Sequence, residues 1–353
     1  MAFLKVENVS IRGISACVPK NVEENRDLPF YTPEEAERVI AEIGIERRHV
    51  APAEITVADL CYEAARKLID ELGWEKESID LLALCTQTPD YLNQPTSFLV
   101  HEKLGLPQST MCLDFFHGCP GWAVSLSSVC ALLSPGSLKR AILLDGDEVS
   151  KWVFANNREE RPLFGDAGTA TALEFSPNAK PIYFNIGTLS DEGKSLINPH
   201  GGLRNPYTMD SLKYTLDARA GKVPKEKWLK VMDSMDVFSF AITKIPKALK
   251  NLCSEYEVDI NDIDKLVLHQ ANKFMLENIA KRMKIPMNKV PLGMRFYGNT
   301  TSASVPLTLV TECQKDLIAG VQKNLICGFG TGLAWGAAFF ETEKIVCPSV
   351  VEI

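Results

Sequence analysis

The hydrophobic pattern of the chain alternates between a helical period and short apolar runs. Residues 58–74 and 240–256 carry apolar side chains at helical spacing, which predicts two amphipathic helices. Each is followed by a short apolar run that predicts a buried strand, within 78–87 and within 262–271. Repeated alternation of helices and strands predicts an α/β protein with mostly parallel sheets covered by helices.

Three other segments complete this picture. The apolar run at 110–116 precedes an uncharged stretch at 121–133, which is typical of a helix buried on all sides. Residues 1–19 predict a first pair of strands. A stretch around 190–230 is rich in glycine, proline and charge, and it predicts a loop insertion over one end of the sheets, as functional lids often are.

Two parts of the chain resemble each other. The segment "SIDLLALCTQ" at 78–87 is similar to "DIDKLVLHQA" at 262–271, so Cys85 and His269 occupy matching places. A repeat of this kind indicates duplicated structural units, which further matches in the same order would support.

Two further matches follow. "FFHGC" is similar to "RFYGN", which places Cys119 against Asn299, and the glycine-rich segment 163–175 is similar to 327–341. Three matches in one order predict a duplicated chain with an N-terminal half at 1–178 and a C-terminal half at 179–353.

Composition and charge narrow the possible functions. The 353 residues carry a net charge of -7, which argues against nucleic acid or an anionic membrane as the main partner. No apolar run approaches the roughly 20 residues that span a bilayer. The ten cysteines form no C-x-x-C pair, and with only five histidines we expect no metal site. Without a secretory signal, reduced thiols in a cytoplasmic protein are expected.

Three polar residues fall where α/β sheets bind ligands. Cys119, His269 and Asn299 are each expected directly after an apolar strand, and sites form outside the carboxyl ends of such strands. A cysteine, a histidine and an asparagine together can form a thiolate, move a proton and hydrogen-bond an oxyanion.

Each of the three also has a structural interpretation. Pro120 suits the first position of a helix, which would place Cys119 at the positive end of the helix dipole and favour the thiolate, but most cysteines are small buried hydrophobes. His269 is also consistent with a satisfied core histidine. Asn299 precedes a threonine- and serine-rich stretch and is also consistent with a turn residue or a helix N-cap.

The glycine-rich segments "FGDAGTA" and "GFGTGLAWG" lack the lysine and hydroxyl residue of a phosphate loop. They are better interpreted as tight turns whose backbone N–H groups face an oxyanion. His117, beside Cys119, is expected to line the pocket.

Several motifs together resemble one family. They are Cys119, "HQAN" at 269–272, "YGNT" at 297–300, "GFGTGLAWG" at 328–336, "GIERRH" at 44–49, "TPDYLNQPT" at 88–96, "FGDAGTA" at 164–170 and "MDVFSFA" at 235–241. Taken in chain order, the set runs in the family's order over nearly the whole chain and resembles the 3-oxoacyl-[acyl-carrier-protein] synthase III family of the thiolase superfamily. The resemblance implies a thiolase fold, with two pseudo-symmetric βαβαβαββ halves in a layered αβαβα sandwich.

The resemblance also implies an activity. Cys119 would take an acyl group from an acyl-coenzyme A or acyl-carrier thioester, and a malonyl thioester on acyl carrier protein would then lose carbon dioxide and attack it. His269 and Asn299 would hydrogen-bond the enolate. The backbone N–H of Cys119 and one from Gly330, Thr331 or Gly332 would bind the acyl oxyanion. No cofactor is implied.

The remaining expectations concern the pocket and the partners. Phe164, Asn272 and His117 would line the pocket, and Leu92 would close it from the second subunit of a homodimer. Arg38 and Lys273 are candidates for docking the carrier protein. The chain departs from the family here: Arg38 stands at the usual tryptophan, Glu42 at the usual arginine, and Phe274 at a basic position after "HQAN". The acyl primer therefore stays open.

Three alternatives remain. The same acyl-cysteine could pass its acyl group to an alcohol or amine without decarboxylation, or the chain could be a non-catalytic partner subunit. Papain-like hydrolases also use cysteine, histidine and asparagine in this order, but the internal repeat argues against that class.

Overall fold

Two β-sheets form the centre of the protein. The structure is a computed structural model, and it describes residues 2–153, 156–211 and 231–353. The strands before residue 178 are β1 (Ala2–Val6), β2 (Val9–Val18), β3 (Val22–Glu24), β4 (Arg47–His49), β5 (Leu81–Cys85), β6 (Met111–Phe115), β7 (Arg140–Asp147) and β8 (Ala167–Phe175). The later strands are β9 (Ile182–Thr188), β10 (Leu196–Ile197), β11 (Val231–Met232), β12 (Lys265–Leu268), β13 (Gln322–Gly330), β14 (Ala334–Thr342) and β15 (Val351–Glu352).

The two large sheets repeat one strand order. The six-stranded sheet runs β15-β2-β8-β7-β5-β6, and the five-stranded sheet runs β1-β9-β14-β13-β12. In each sheet the pair at the centre is antiparallel, β7 with β8 and β13 with β14, and the next pairing is parallel, β5 with β7 and β12 with β13. The strands β7 and β13 therefore correspond, as do β5 and β12.

Helices cover and separate the sheets. They are α1 (Pro33–Ile43), α2 (Val57–Leu72), α3 (Thr96–Leu104), α4 (Gly121–Leu133), α5 (Ser234–Glu255), α6 (Lys273–Met283), α7 (Met294–Tyr297), α8 (Ser304–Glu312) and α9 (Gln314–Ala319). The ends of α1 show why local sequence suffices for many of them: Thr32 and Glu35 form a reciprocal capping box at its start, and Gly44 ends it with φ 78°.

Five layers result from this packing. The helices α4 and α8 contact both large sheets and lie between them, α2 and α3 cover the outer face of the six-stranded sheet, and α5 covers that of the five-stranded sheet. Each interface has its own apolar core, and the central core is built around Trp122, Leu126 and Leu307. This packing confirms the layered αβαβα sandwich expected from the sequence.

The first pair of strands differs from the prediction. Strands β1 and β2 do not pair with each other: β1 joins the five-stranded sheet beside β9, whereas β2 lies in the six-stranded sheet between β15 and β8. Each end of the chain therefore contributes a strand to the sheet of the other predicted half. The division at residue 178 itself stays a prediction.

A second difference concerns the strand expected before Asn299. The short helix α7 stands there instead, followed by Gly298 with φ 71°. Pro291, which lacks a backbone N–H for a ladder hydrogen bond, helps to explain why the segment before α7 joins no sheet. The C-terminal half therefore has no counterpart of β6 among its described residues.

Part of the predicted insertion lies outside the structure. Residues 190–211 of the 190–230 insertion are described, with a short 3-10 helix and strand β10, and residues 212–230 lie outside the described residues. Within the described parts of the chain, no helix has the length and apolarity that crossing a membrane requires.

Candidate active site

One cavity of about 590 Å³ brings the three polar residues together. Cys119, His269 and Asn299 all line it, although they are up to 180 residues apart in the sequence. They come from both halves, since Cys119 follows β6, His269 follows β12 and Asn299 follows α7. The juxtaposition predicted from the internal repeat is therefore present in the structure.

Cys119 lies at the turn that leads into α4. Pro120 is the N-cap residue and the helix begins at Gly121, one residue later than the sequence predicts. Because the first N–H groups of a helix have no intrahelical acceptor, this end of α4 presents a positive potential near the thiol. The cysteine is only 7% exposed, so its reactive face is the one toward the cavity.

The end of β13 lies directly against Cys119. A Cβ on Gly328 would be 2.6 Å from the Cys119 carbonyl oxygen, and a Cβ on Gly330 would be 2.8 Å from its Sγ. Gly330 also has φ 153°, a conformation that residues with a side chain rarely adopt. Glycine is therefore required at both positions for this strand to approach the nucleophile. Gly330 and the next residue, Thr331, line the cavity.

His269 is a buried neutral imidazole. Its backbone N–H donates to the Cys327 carbonyl (2.8 Å), which extends the pairing of β12 with β13 by one residue. Nδ1 shares a hydrogen bond with Ser304 Oγ (2.7 Å), and the ring packs edge-on against Phe329. Burial lowers the pKa of His269 from 6.5 to about 3. In the tautomer in which Ser304 donates to Nδ1, Nε2 carries the proton and is a hydrogen-bond donor.

Asn299 is held at both its backbone and its side chain. Its N–H donates to the Leu163 carbonyl (2.8 Å), and its carbonyl accepts from Gly165 N–H (3.1 Å). Oδ1 accepts from the backbone N–H of Thr301 (3.0 Å), and this fixes the amide so that Nδ2 is on the side away from Thr301. The N-cap of the 3-10 turn Thr301–Ala303 is Thr300, so Asn299 is not a helix N-cap, but its bond to Thr301 N–H gives it the turn role that the sequence also allowed.

Two of the predicted pocket residues line the cavity. Phe164 is buried in its wall, and Asn272 lines it while its side chain accepts a hydrogen bond from Met275 N–H (2.8 Å) at the start of α6. His117 is not among the lining residues in the described part of the chain. Its carbonyl instead accepts a hydrogen bond from Cys85 (3.7 Å).

The other predicted residues lie on the surface. Leu92 is 93% exposed in the loop before α3, where a single chain provides no pocket for it to close. Arg38 is exposed on α1. Lys273 begins α6 and packs its Cβ against Gly44 at the end of α1, so the two basic residues belong to adjacent elements. Gly332 is not among the residues that line the cavity within the described chain, so Gly330 and Thr331 are the better-placed backbone donors.

The sequence did not identify most of the cavity wall. The wall is largely apolar and includes Trp152, Met235, Phe238, Phe274 and Phe329. The described residues that line it include no aspartate, glutamate, lysine or arginine. The rings of Phe238 and Phe274 stack at 5.4 Å and join α5 to α6 beside the cavity. The apolar repeat in "MDVFSFA" was a signal for this wall, but it is equally typical of an ordinary core-facing helix.

Comparisons with known proteins agree with this site. Residues 113–189 match the family model 3-oxoacyl-[acyl-carrier-protein (ACP)] synthase III, and residues 253–342 match the model of its C-terminal part. Together these models cover the segments that carry Cys119, His269 and Asn299.

Individual relatives cover nearly the whole chain. A beta-ketoacyl-[acyl-carrier-protein] synthase III of Streptococcus pneumoniae is 31% identical, over 95% of this chain and 98% of the relative. One of Fusobacterium nucleatum is 30% identical, over 95% of this chain and 99% of the relative. The crystal structure of a 3-oxoacyl-(acyl-carrier protein) synthase from Burkholderia xenovorans LB400 superposes with a TM-score of 0.92 at 33% identity, over 100% of this chain and 99% of that one.

The family resemblance and the acyltransferase class expected from the sequence are thereby confirmed. Since relatives of at least 30% identity match nearly the whole chain and the same fold extends over its full length, the chain belongs to the beta-ketoacyl-[acyl-carrier-protein] synthase III family of condensing enzymes.

Proposed function

We propose that the protein joins an acyl group held on Cys119 to a malonyl thioester by decarboxylative Claisen condensation. The observation that carries this proposal is the shared cavity, which Cys119, His269 and Asn299 all line. In the tautomer with a protonated Nε2, the neutral His269 can donate a hydrogen bond there, as can the Asn299 amide. A nucleophile and an oxyanion-binding pair in one pocket are the parts that a two-step acyl transfer needs.

The first step loads the enzyme. The Cys119 thiolate attacks the carbonyl carbon of an acyl thioester, the bond from that carbon to the donor's sulfur breaks, and the donor leaves as a thiolate that takes a proton from water. The negative charge that develops on the carbonyl oxygen is stabilised by backbone N–H groups, that of Cys119 and one from Gly330 or Thr331. Both of those residues line the cavity beside the nucleophile.

The second step forms the carbon–carbon bond. The malonyl thioester loses its carboxylate as carbon dioxide, and the electron pair passes to an enolate whose oxygen accepts hydrogen bonds from His269 Nε2 and Asn299 Nδ2. The enolate carbon then attacks the acyl group, and the bond to Cys119 Sγ breaks to regenerate the thiolate. Because the described lining residues include no lysine or arginine, the malonyl carboxylate forms no ion pair with them, and its loss as neutral carbon dioxide breaks none.

The cavity also limits the substrates. Its apolar wall and lack of charged side chains favour an uncharged acyl group on the donor. The proposal includes acyl carrier protein as a partner, with Arg38 and Lys273 as candidate contacts, and it needs no cofactor beyond the thioester substrates. A cytoplasmic location belongs to the same proposal, supported by ten cysteines that all lie within the described residues and form no disulfide.

A homodimer is the proposed assembly. Strand β6 is at the edge of the six-stranded sheet, and Met111 on it and Phe116 just after it are exposed, as is Leu92 in the nearby loop. Edge strands with exposed apolar side chains tend to pair with another chain. A second copy placed along β6 would cover these side chains and bring Leu92 to the partner's pocket. Met111→Lys should lower the sedimentation coefficient toward that of a monomer, whereas Val321→Lys, an exposed apolar position elsewhere, should not.

The function is tested by intact mass spectrometry in two stages. The protein is first incubated with acyl-coenzyme A and acyl-carrier thioesters, and malonyl-carrier protein is then added. We expect an acyl adduct that disappears as a 3-oxoacyl product forms. Cys119→Ala should give no adduct, while Cys253→Ala should behave as wild type, since that thiol is equally buried at 8% exposure and lies outside the cavity.

Other outcomes would replace the proposal. An adduct that malonyl-carrier leaves untouched but that an alcohol or amine removes would indicate simple acyl transfer. The absence of an adduct with every donor would indicate a partner subunit without this activity.

A further inference from the structure

The carboxylate of Asp147 lies between the two halves of the site. Asp147 ends β7 and is fully buried. Its Oδ1 accepts from Gln87 N–H (2.8 Å) and from Thr86 Oγ1 (3.1 Å), both in the loop after β5. Its Oδ2 accepts from Ser302 N–H (3.2 Å) and Ser302 Oγ (2.7 Å), and from Thr301 Oγ1. One carboxylate therefore joins loops that lie more than 200 residues apart in the sequence.

The Oδ2 side leads directly to the two enolate-binding residues. Thr301, which Asp147 holds through its hydroxyl, donates its backbone N–H to Asn299 Oδ1 (3.0 Å). Two residues beyond Ser302, Ser304 shares its hydroxyl with His269 Nδ1 (2.7 Å). The segment 301–304 thus orients both side chains, and Asp147 is the buried carboxyl group to which this segment is bound.

The conformation of Thr301 shows that the segment needs this support. Its φ is 51°, in the left-handed region that a β-branched residue rarely occupies. Such a conformation costs conformational free energy and persists only where surrounding contacts impose it. The hydrogen bonds from Thr301 and Ser302 to Asp147 are contacts of that kind.

The Oδ1 side reaches the nucleophile less directly. Gln87, whose N–H binds Oδ1, packs its side-chain amide against Gly118, the residue before Cys119. Cys119 itself is positioned by the start of α4 and by Gly328 and Gly330 of β13, none of which is among the hydrogen-bond partners described for Asp147. Loss of the carboxylate should therefore disturb His269 and Asn299 more than Cys119.

We propose that Asp147 is a positioning residue for the condensation step, which holds the 301–304 segment so that Asn299 and His269 face the enolate. This rests on the function proposed above. It assigns to Asp147 no contact with substrate, and it separates the two steps: acylation of Cys119 tolerates a change at Asp147, and decarboxylation does not.

The substitution Asp147→Asn tests this with almost no change in shape. The N–H groups of Gln87 and Ser302 bind different oxygens of the carboxylate, so the amide's NH₂ group must face one backbone N–H in either orientation. We expect the rate of condensation with malonyl-carrier to fall about 100-fold, because small displacements of reacting groups lower rates by about this factor. The acylation rate should stay within about threefold of wild type.

Two further variants complete the test, a control for folding and a partial disruption of the same contacts. Asp145→Asn changes a carboxylate on the same strand that is equally buried and is bound to Ser125 rather than to the 301–304 segment, and it should leave the ratio of the two rates unchanged. Ser302→Ala removes one donor from Oδ2 and retains the carboxylate. It should reduce condensation by about tenfold, as the loss of one hydrogen bond to a charged group does, with acylation unaffected.

A second readout does not depend on activity. In Asp147→Asn, displacement of the segment should hydrate His269 and raise its pKa, so that its ring titrates between pH 5 and 7 in NMR spectra of histidine-labelled protein. The wild-type ring should not titrate there. Spectra of His269→Gln would assign the signal.

The two ways of failing are distinguishable. If the wild type forms no condensation product, the proposed function fails, and the NMR titration still decides whether Asp147 holds the segment. If Asp147→Asn slows both steps by the same factor, or leaves condensation and the His269 titration as in wild type, then Asp147 has no positioning role.

Discussion

The carboxyl ends of β7 and β13 occupy corresponding places in the two sheets but carry opposite kinds of residue. Cys85 of β5 is opposite Asp145 of β7, and the matching His269 after β12 is opposite Gly328 of β13, so Asp147 corresponds to Gly330. The end of β7 carries buried carboxylates, and the end of β13 carries glycines. Each end lies against a segment of the other half.

The difference follows from what each end supports. Asp147 provides an acceptor for the donors of Thr301 and Ser302 and so holds the segment beside Asn299. Gly330 provides space, because Cys119 comes within the distance that a Cβ would occupy. A duplicated framework can therefore build an asymmetric site when one half contributes a hydrogen-bonding anchor and the other a close backbone approach.

The largest effect is expected when Asn299, which lies on the side of the site held by Asp147, loses its side-chain hydrogen-bond donor. Asn299→Ala should reduce condensation about 10²- to 10³-fold, since removal of one oxyanion donor typically has this effect, while Cys119 still acylates. Single-turnover measurements of the two steps check this. Asn278→Ala, an asparagine of α6 that is bonded only to the Phe274 carbonyl among the described contacts, is the matched control. Equal loss of both steps would show that Asn299 does more than bind the enolate.

A change at the end of β13, beside Cys119, should affect acylation rather than condensation. In Gly330→Ala the new Cβ would overlap Cys119 Sγ and strain the backbone at φ 153°, so acylation should fall about 100-fold through displacement of the nucleophile. Rapid-quench acylation followed by mass spectrometry measures it. Gly320→Ala has open space around its Cβ and an ordinary extended backbone, and should acylate as wild type. Normal acylation in Gly330→Ala would refute the close-approach explanation.

A smaller effect is expected on stability. Burial lowers the pKa of His269 from 6.5 to about 3, so between these values the unfolded chain binds a proton that the folded chain does not. The contribution of His269 to the free energy of unfolding is therefore fully present above pH 6.5 and is lost at about 1.4 kcal/mol per pH unit as the pH falls toward 3.

Guanidinium denaturation of wild type and His269→Gln at pH 5, 6 and 7 isolates this contribution. Wild type alone would not, because burial raises the pKa of Asp166 to about 6 and that of Glu148 to about 7, which acts in the opposite direction. The difference between the two proteins should narrow as the pH falls. A constant difference would mean that His269 titrates normally in the folded protein.

The smallest effect is expected at Cys85, the counterpart of His269. Its thiol is fully buried, Gly121 packs against its Sγ, and burial raises its pKa well above the usual value of 9.0. Cys85→Ala should leave both steps within about twofold of wild type and lower the free energy of unfolding by about 1 kcal/mol, as a small core deletion does. Kinetics and denaturation check both numbers, and a selective loss of acylation would give Cys85 a role that its position does not suggest.

The helices and buried strands were predictable because their causes are local. The capping box of α1 and the apolar run of β5 are each contained in one stretch of sequence. The internal repeat extended this to longer range, since it identified Cys119, His269 and Asn299 as a set before any contact was known. The pairing of β1 with β9, and the helix in place of a strand before Asn299, were not predicted, because partners for those segments come from elsewhere in the chain.

The sequence by itself determined the alternation of elements, their duplication and the three residues with suitable chemistry, since each depends on side-chain type and spacing along the chain. Only the tertiary structure decided that Phe164 lines the cavity while His117 does not, and that Asp147 meets Thr301 across 154 residues. The physical reason is that a buried carboxylate is stable only where donors converge on it, and those donors are brought together by the packing of two sheets around α4 and α8.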